Sequence, residues 1–201
     1  MADYKKLVPF ILRWEDGKAN DPNDRGGLTN KGITFATFTS LSQKVLGLAP
    51  TRANFDNLTS DQAAKFIKHF FDIATYNNSI KNEEIAFILT NWFWGSGRGG
   101  LIQFQKMLNS KFGTNLTVDG EIGPKTINAI NSINAKLLYN EAIKWRANFF
   151  KQIAANDPSQ KKFLNGWLNR LNDFVNKYPV GMGISIGFLI LTTITLYYLN
   201  K

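Results

Sequence analysis

A chain of 201 residues can hold one or two small domains with a true core, and its 44% hydrophobic and 13% aromatic content excludes disorder for most of it. With no cysteine and one histidine, His69, disulfides, thiolate metal sites and His-rich metal sites are excluded, so catalysis must rest on carboxylates, hydroxyls and amides, with no metal and no cofactor expected. The formal charge of +9 asks for an anionic partner; the basic residues are scattered and no nucleic-acid motif is present, which favours the cell envelope over nucleic acid.

In chain order, an apolar helix (LVPFILRW) comes first. It leads straight into Glu15 without a small-residue cleavage site, and so reads as part of the fold and not as a signal peptide. A second helix is expected over 35–46, ended by Gly47 and Pro50. Residues 59–76 open with Thr59 or Ser60 as N-cap and carry Ala63, Phe66, Ile67, Phe70 and Phe71 at helical spacing. Another helix covers 82–94 and is closed by the glycines of GSGRGG. Helices over 101–112, 126–132, 134–155 and 159–178 follow, with the turn VDGEIGPKT between the first two of these. Few segments alternate with period two. The fold class is therefore mainly α, with at most a small hairpin near 20–34.

The character changes at Val180. VGMGISIGFLILTTITLYYL carries no charge and is about the length that crosses a bilayer core. Tyr178, Tyr197 and Tyr198 stand where an interfacial aromatic belt would lie, between Lys177 and Lys201. A C-terminal transmembrane helix over 180–199 is expected, and Gly183 with Gly187 offers a surface for helix–helix self-association.

The stretch WEDGKANDPNDRGGLTNKGIT, Trp14 to Thr34, carries the chemistry. Glu15 stands at a helix end before a turn-rich loop with Asp21, Asp24, Gly26, Gly27 and Thr29. Hydrolysis of a sugar bond needs one carboxyl to protonate the leaving oxygen and a second polar group to hold water or stabilise the cation. On that reading Glu15 is the general acid. Asp21 and Asp24 also fit turn-forming Asx positions, and the glycines fit positive φ or close backbone approach. In order and nearly in spacing, Glu15, Asn20-Asp21-Pro22, Asp24, Gly26-Gly27, Thr29 and Gly32-Ile33 resemble the motif of glycoside hydrolase family 108, the phage and bacterial N-acetylmuramidases. The resemblance implies a lysozyme-like helical bundle with Asp24 as the second polar group and Thr29 positioning the attacking water. One departure is Asp16, where the family has a glycine after the acid.

A second block, from Asn91 to Ala129, resembles the peptidoglycan-binding module joined to this hydrolase through Gly95, Gly97, Arg98, Leu101, Phe104, Gln105, Asp119-Gly120, Gly123-Pro124 and Thr126. The resemblance implies Arg98 as a substrate-binding residue, and Trp92 is a further candidate because an exposed indole can stack on a sugar ring, although a structural or core role serves both residues. Of Trp92 and Trp94, two apart on a helix, at most one can face a cleft. The similarity continues through the runs around Arg146 and Arg170. The division expected is a muramidase region over 1–90, a peptidoglycan-binding-like region over 91–178 and the membrane helix over 179–201.

The partner implied is the peptidoglycan glycan strand, at the bacterial cell wall. A degenerate, non-catalytic wall-binding protein tethered to the membrane is the alternative. A span so close to the C-terminus leaves the soluble domain cytoplasmic after synthesis, so export calls for a holin or a secretion machine as partner.

Overall fold

The computed structural model describes residues 1–15, 18–19 and 27–181. Helix α1 (Tyr4–Trp14) starts on Asp3, whose side chain accepts from the Lys5 amide, and buries Leu7, Phe10 and Ile11 at helical spacing. Three two-residue strands follow: β1 (Lys18–Ala19), β2 (Thr29–Asn30) and β3 (Ile33–Thr34). They form an antiparallel sheet in the order β1-β2-β3. Thr29 pairs with Thr34 and Asn30 with Ile33, leaving Lys31 and Gly32 as a two-residue turn with φ of 50° and 75°. Two successive positive φ values match the twist of the flanking strands. Buried Asn30 donates Nδ2 to the Phe55 carbonyl at 2.7 Å and so ties this hairpin to the helices beyond it.

Thr34 then caps α2 (Phe35–Leu46), which Gly47 ends at φ 70°. A short α3 (Arg52–Asp56) precedes α4 (Ser60–Ala74), whose N-cap Thr59 forms a capping box with Gln62. Helix α5 (Glu83–Phe112) spans both segments expected as separate helices. They are two helices that meet at a kink inside the glycine run, as the sequence leads one to expect. Only Gly97 leaves helical backbone, at φ 55° and ψ −152°, and the chain resumes its helix on a new axis. Pro124 opens α6 (Pro124–Ser132) at the first turn, where its missing N–H is no loss. Then come α7 (Ala135–Asn156), capped by Asn134, a 3-10 turn over Pro158–Phe163, and α8 (Leu164–Lys177).

Two apolar clusters result. A small one gathers Ile33, Phe38, Phe55, Leu58, Ala63 and Phe66 beneath the hairpin and α2–α4. The larger one joins α1, α4 and α5 to α6–α8. Both parts of α5 contribute to the larger core, through residues 85–92 and 100–108, so the packing is continuous across residue 90.

Tyr178 departs from expectation. It is no interfacial residue: its ring packs on Phe10, Phe87 and Phe174, and its hydroxyl donates to the Lys6 carbonyl at 2.8 Å. Tyr139 donates in turn to the Tyr178 carbonyl at 2.6 Å, docking the end of α8 on the core. The expected membrane helix lies outside the described residues except for Val180 and Gly181. Among the described residues, no helix is long and apolar enough to cross a membrane.

Candidate active site

Glu15 is the C-cap of α1. Its amide donates to the Leu12 carbonyl at 3.1 Å, so its backbone is an extension of a helix packed into the core. The side chain, 20% exposed, enters a cleft of about 480 Å³. Thr29 and Gly32 of the hairpin line the same cleft, as do Trp94 and Ser96 at the bend of α5. Helices α7 and α8 supply the remaining wall through Arg146, Phe149, Trp167 and Arg170. Glu15 and Thr29, far apart in local structure, are thus brought to one cavity. Asp24, with Asp16 and Asp21, lies outside the described residues.

Two side chains of α8 fix the end of α1. Arg170 donates Nη1 to Glu15 Oε1. One turn on, Asp173 pairs with Arg13 and accepts from the Trp14 indole Nε1 at 2.6 Å. Residues 13, 14 and 15 are therefore each held by the same face of α8, with an i, i+3 spacing on that helix. From the opposite side, Gly32 lies against the acid so closely that a Cβ there would stand 2.6 Å from Glu15 Cγ.

Arg146 is the most deeply buried charge in the cleft wall, 3% exposed. Its Nη1 donates to Asn91 Oδ1 at 2.7 Å and its Nη2 to the Asn91 carbonyl at 3.3 Å. Burial, and then the neighbouring Arg170 guanidinium, pull it down to about 9.

Two expected substrate contacts are placed elsewhere. Trp92 is fully buried, edge-on to Phe104 and under Gly100, where a Cβ would stand 2.8 Å from its ring. A ring with no exposed face cannot stack on a sugar, and Trp94 holds the cleft position instead. Arg98 is solvent-facing: it donates Nε to the Asp119 carbonyl at 2.8 Å and pairs with Glu121, bracing the VDGEIG turn away from the residues that line the cleft. Arg146, Arg170 and Asp173 were not singled out from sequence. The runs around Arg146 and Arg170 stand out only as continuing the similarity, and nothing in the sequence marks Asp173.

The model of the family described as Glycosyl hydrolase 108 matches residues 8–112, which include Glu15, the hairpin and the bend of α5. The chain belongs to this family. A glycosyl hydrolase 108 protein is a glycoside hydrolase, and a second model, described as a predicted peptidoglycan domain, matches residues 100–172 with Arg146 and Arg170 inside it. The two matches together support a lysozyme-like hydrolysis of peptidoglycan at the cell wall. Among solved structures, SagA of Brucella abortus has the same fold, with a TM-score of 0.71 at 22% identity over 90% of this chain and 98% of that one. No curated protein matches the chain.

Proposed function

We propose that this family member is an N-acetylmuramidase that cuts the β-1,4 bond from N-acetylmuramic acid to N-acetylglucosamine in peptidoglycan, with Glu15 as general acid. The observation that carries this reading is the placement of Glu15. It is a carboxyl on the end of a packed helix, gripped by α8 and by Gly32, and it faces a cleft large enough for sugar rings. A rigidly held carboxyl can meet the glycosidic oxygen in a productive geometry, and that positioning supplies much of the rate. Thr29, in the same cleft, serves to orient water, and Asp24 is assigned as the second polar group by the family motif. Trp94 and Trp167 offer apolar ring surface to the glycan. Residues 1–90 carry the acid and the hairpin, residues 91–178 the glycan-binding wall, and residues 180–199 anchor the enzyme to the membrane.

Zymography on murein with the full chain, beside measurement of released reducing ends, tests the reading. Glu15→Gln keeps the size and a hydrogen-bonding oxygen but cannot donate a carboxyl proton. Loss of about 10²–10⁴-fold in release is expected for removal of a general acid. Equal clearing by the two proteins would remove Glu15 from that role.

A further inference from the structure

The cleft wall holds two cations for one described carboxyl. Arg146 is 3% exposed, and among the described residues its polar and ring contacts are the Asn91 oxygens and the rings of Trp92 and Phe150, at 5.7 and 5.4 Å from the guanidinium carbon. None of these carries a negative charge. Its Nε has no hydrogen-bond partner among the described residues. Arg170 beside it gives Nη1 to Glu15, while its Nε and Nη2 have no partner among them either.

Holding a side chain in place does not need this arrangement. The Asn91 bonds and the ring contacts anchor Arg146, but a buried ion without a counter-charge destabilises a fold by several kcal/mol, and a second cation beside it adds to that. A neutral, well-packed residue would anchor the same helices at no such cost. What the charge does bring is a positive potential inside a cleft, where low-dielectric walls strengthen it. Both arginines line the cavity that Glu15 enters, so the potential acts on whatever the cavity holds.

We propose that Arg146 and Arg170 form an anion subsite that draws a carboxylate of the glycan strand into the cleft, a proposal that rests on the substrate being peptidoglycan. The strand offers that group in two places. A muramoyl residue stripped of its stem peptide presents the lactyl carboxylate, and a strand that keeps its peptides presents the carboxylates of the stem. A neutral amino-sugar polymer with the same linkage presents none. The arginine pair therefore sorts peptidoglycan from neutral glycans, a distinction that stacking on Trp94 and Trp167 cannot make.

The test is a binding measurement with the intact full chain, read by the fluorescence of the cleft tryptophans. The first ligand pair is the disaccharide N-acetylglucosaminyl-N-acetylmuramic acid and its lactyl methyl amide, which lack the bond proposed to be cut. The second is the same disaccharide bearing a tetrapeptide stem, as free acid and with the stem carboxyls amidated. In at least one pair the acid binds about tenfold or more tightly than its amide, as charge-assisted recognition requires, and that pair identifies the source. Arg146→Gln erases the preference, whereas Arg146→Lys, which keeps the charge, retains it. Should Arg146→Gln fail to fold, the ligand pairs on the wild-type chain decide alone. Equal affinity for acid and amide in both pairs overturns the subsite. Reducing-end release from murein, measured in parallel, separates the two readings: hydrolysis without an acid preference sinks only the subsite. An acid preference without hydrolysis sinks only the muramidase.

Discussion

Gly32→Ala gives the sharpest test of how the acid is held. Residue 32 sits at φ 75°, and a Cβ there would stand 2.6 Å from Glu15 Cγ and 2.8 Å from both Cδ and Oε2. Ordinary contact needs about 3.6 Å between carbons, so the acid or the turn must retreat by about 1 Å. Glu15 has little freedom to absorb that, since Arg170 engages its Oε1 and the backbone is the cap of a packed helix. A displacement of about 1 Å in a reacting group lowers turnover by about 10²-fold. The left-handed backbone adds about 1–2 kcal/mol of destabilisation for a residue with a Cβ, which lowers the melting temperature by about 2–8 °C for a chain of this size. Gly47→Ala separates the two effects, because Gly47 has φ 70° with nothing within 4 Å of the added carbon. Both variants should lose the stability that the left-handed backbone costs, Gly32→Ala somewhat more because of the overlap, and only Gly32→Ala should lose murein hydrolysis. Hydrolysis by Gly32→Ala at the rate of Gly47→Ala would refute the contact as a determinant of the acid's position.

Three further outcomes follow from the same contacts. Gln105, 1% exposed, donates to Asp119 Oδ1 at 2.9 Å and to the Glu121 carbonyl at 3.0 Å, and accepts from the Gly120 amide at 2.6 Å. Gln105→Leu strands the buried amide and should cost about 2–4 kcal/mol in urea titration; a loss below about 0.5 kcal/mol would contradict the network. Trp92→Ala should cost about 3–5 kcal/mol as a core cavity while leaving glycan affinity of the folded protein unchanged, and weaker glycan binding would show that Trp92 meets substrate after all. Burial first, then Lys44, holds His69 below the 6.5 of a solvated histidine. As pH falls from 6.5 toward the folded value, the unfolded chain takes up a proton that the folded chain refuses, so stability declines over that window and levels off below it. His69→Gln should flatten that part of a stability–pH profile, and an unchanged slope would assign it to other groups.

Much of the helical frame was legible because its signals are local. Thr59 with Gln62, Gly47, and Pro124 mark boundaries through the chemistry of the first and last turns, and the expected limits of α2 agree with the structure. The short α3 escaped notice because five residues do not display a helical period. The glycines of GSGRGG were read as the end of one helix, and Gly97 is where the helical backbone breaks. Where the next helix goes is a matter of tertiary packing: Leu101 and Phe104 carry it back into the same core. Of the candidate site, the grouping of Glu15, Thr29 and Gly32 at one cleft was legible because they cluster in sequence. Trp92 and Trp94 show the limit: spacing says that they diverge, but only tertiary packing says which one meets the cleft.

The acid and its supports come from opposite ends of the chain. Arg170 reaches Glu15 across 155 positions, and Asp173 reaches Trp14 across 159. A division at residue 90 thus separates roles along the sequence without separating them in space. Helix α8 lies at the end of the segment matched by the peptidoglycan domain, yet its polar face orients the acid of the hydrolase segment. Arg170 holds Glu15 and stands beside Arg146. If the proposed anion subsite and the proposed role of Glu15 both hold, substrate binding and the setting of the acid share this one side chain. On the proposed reading, the buried charge of Arg146 gains a counter-charge when the anionic strand fills the cleft, so stabilisation is gained on binding, beside the group proposed to act.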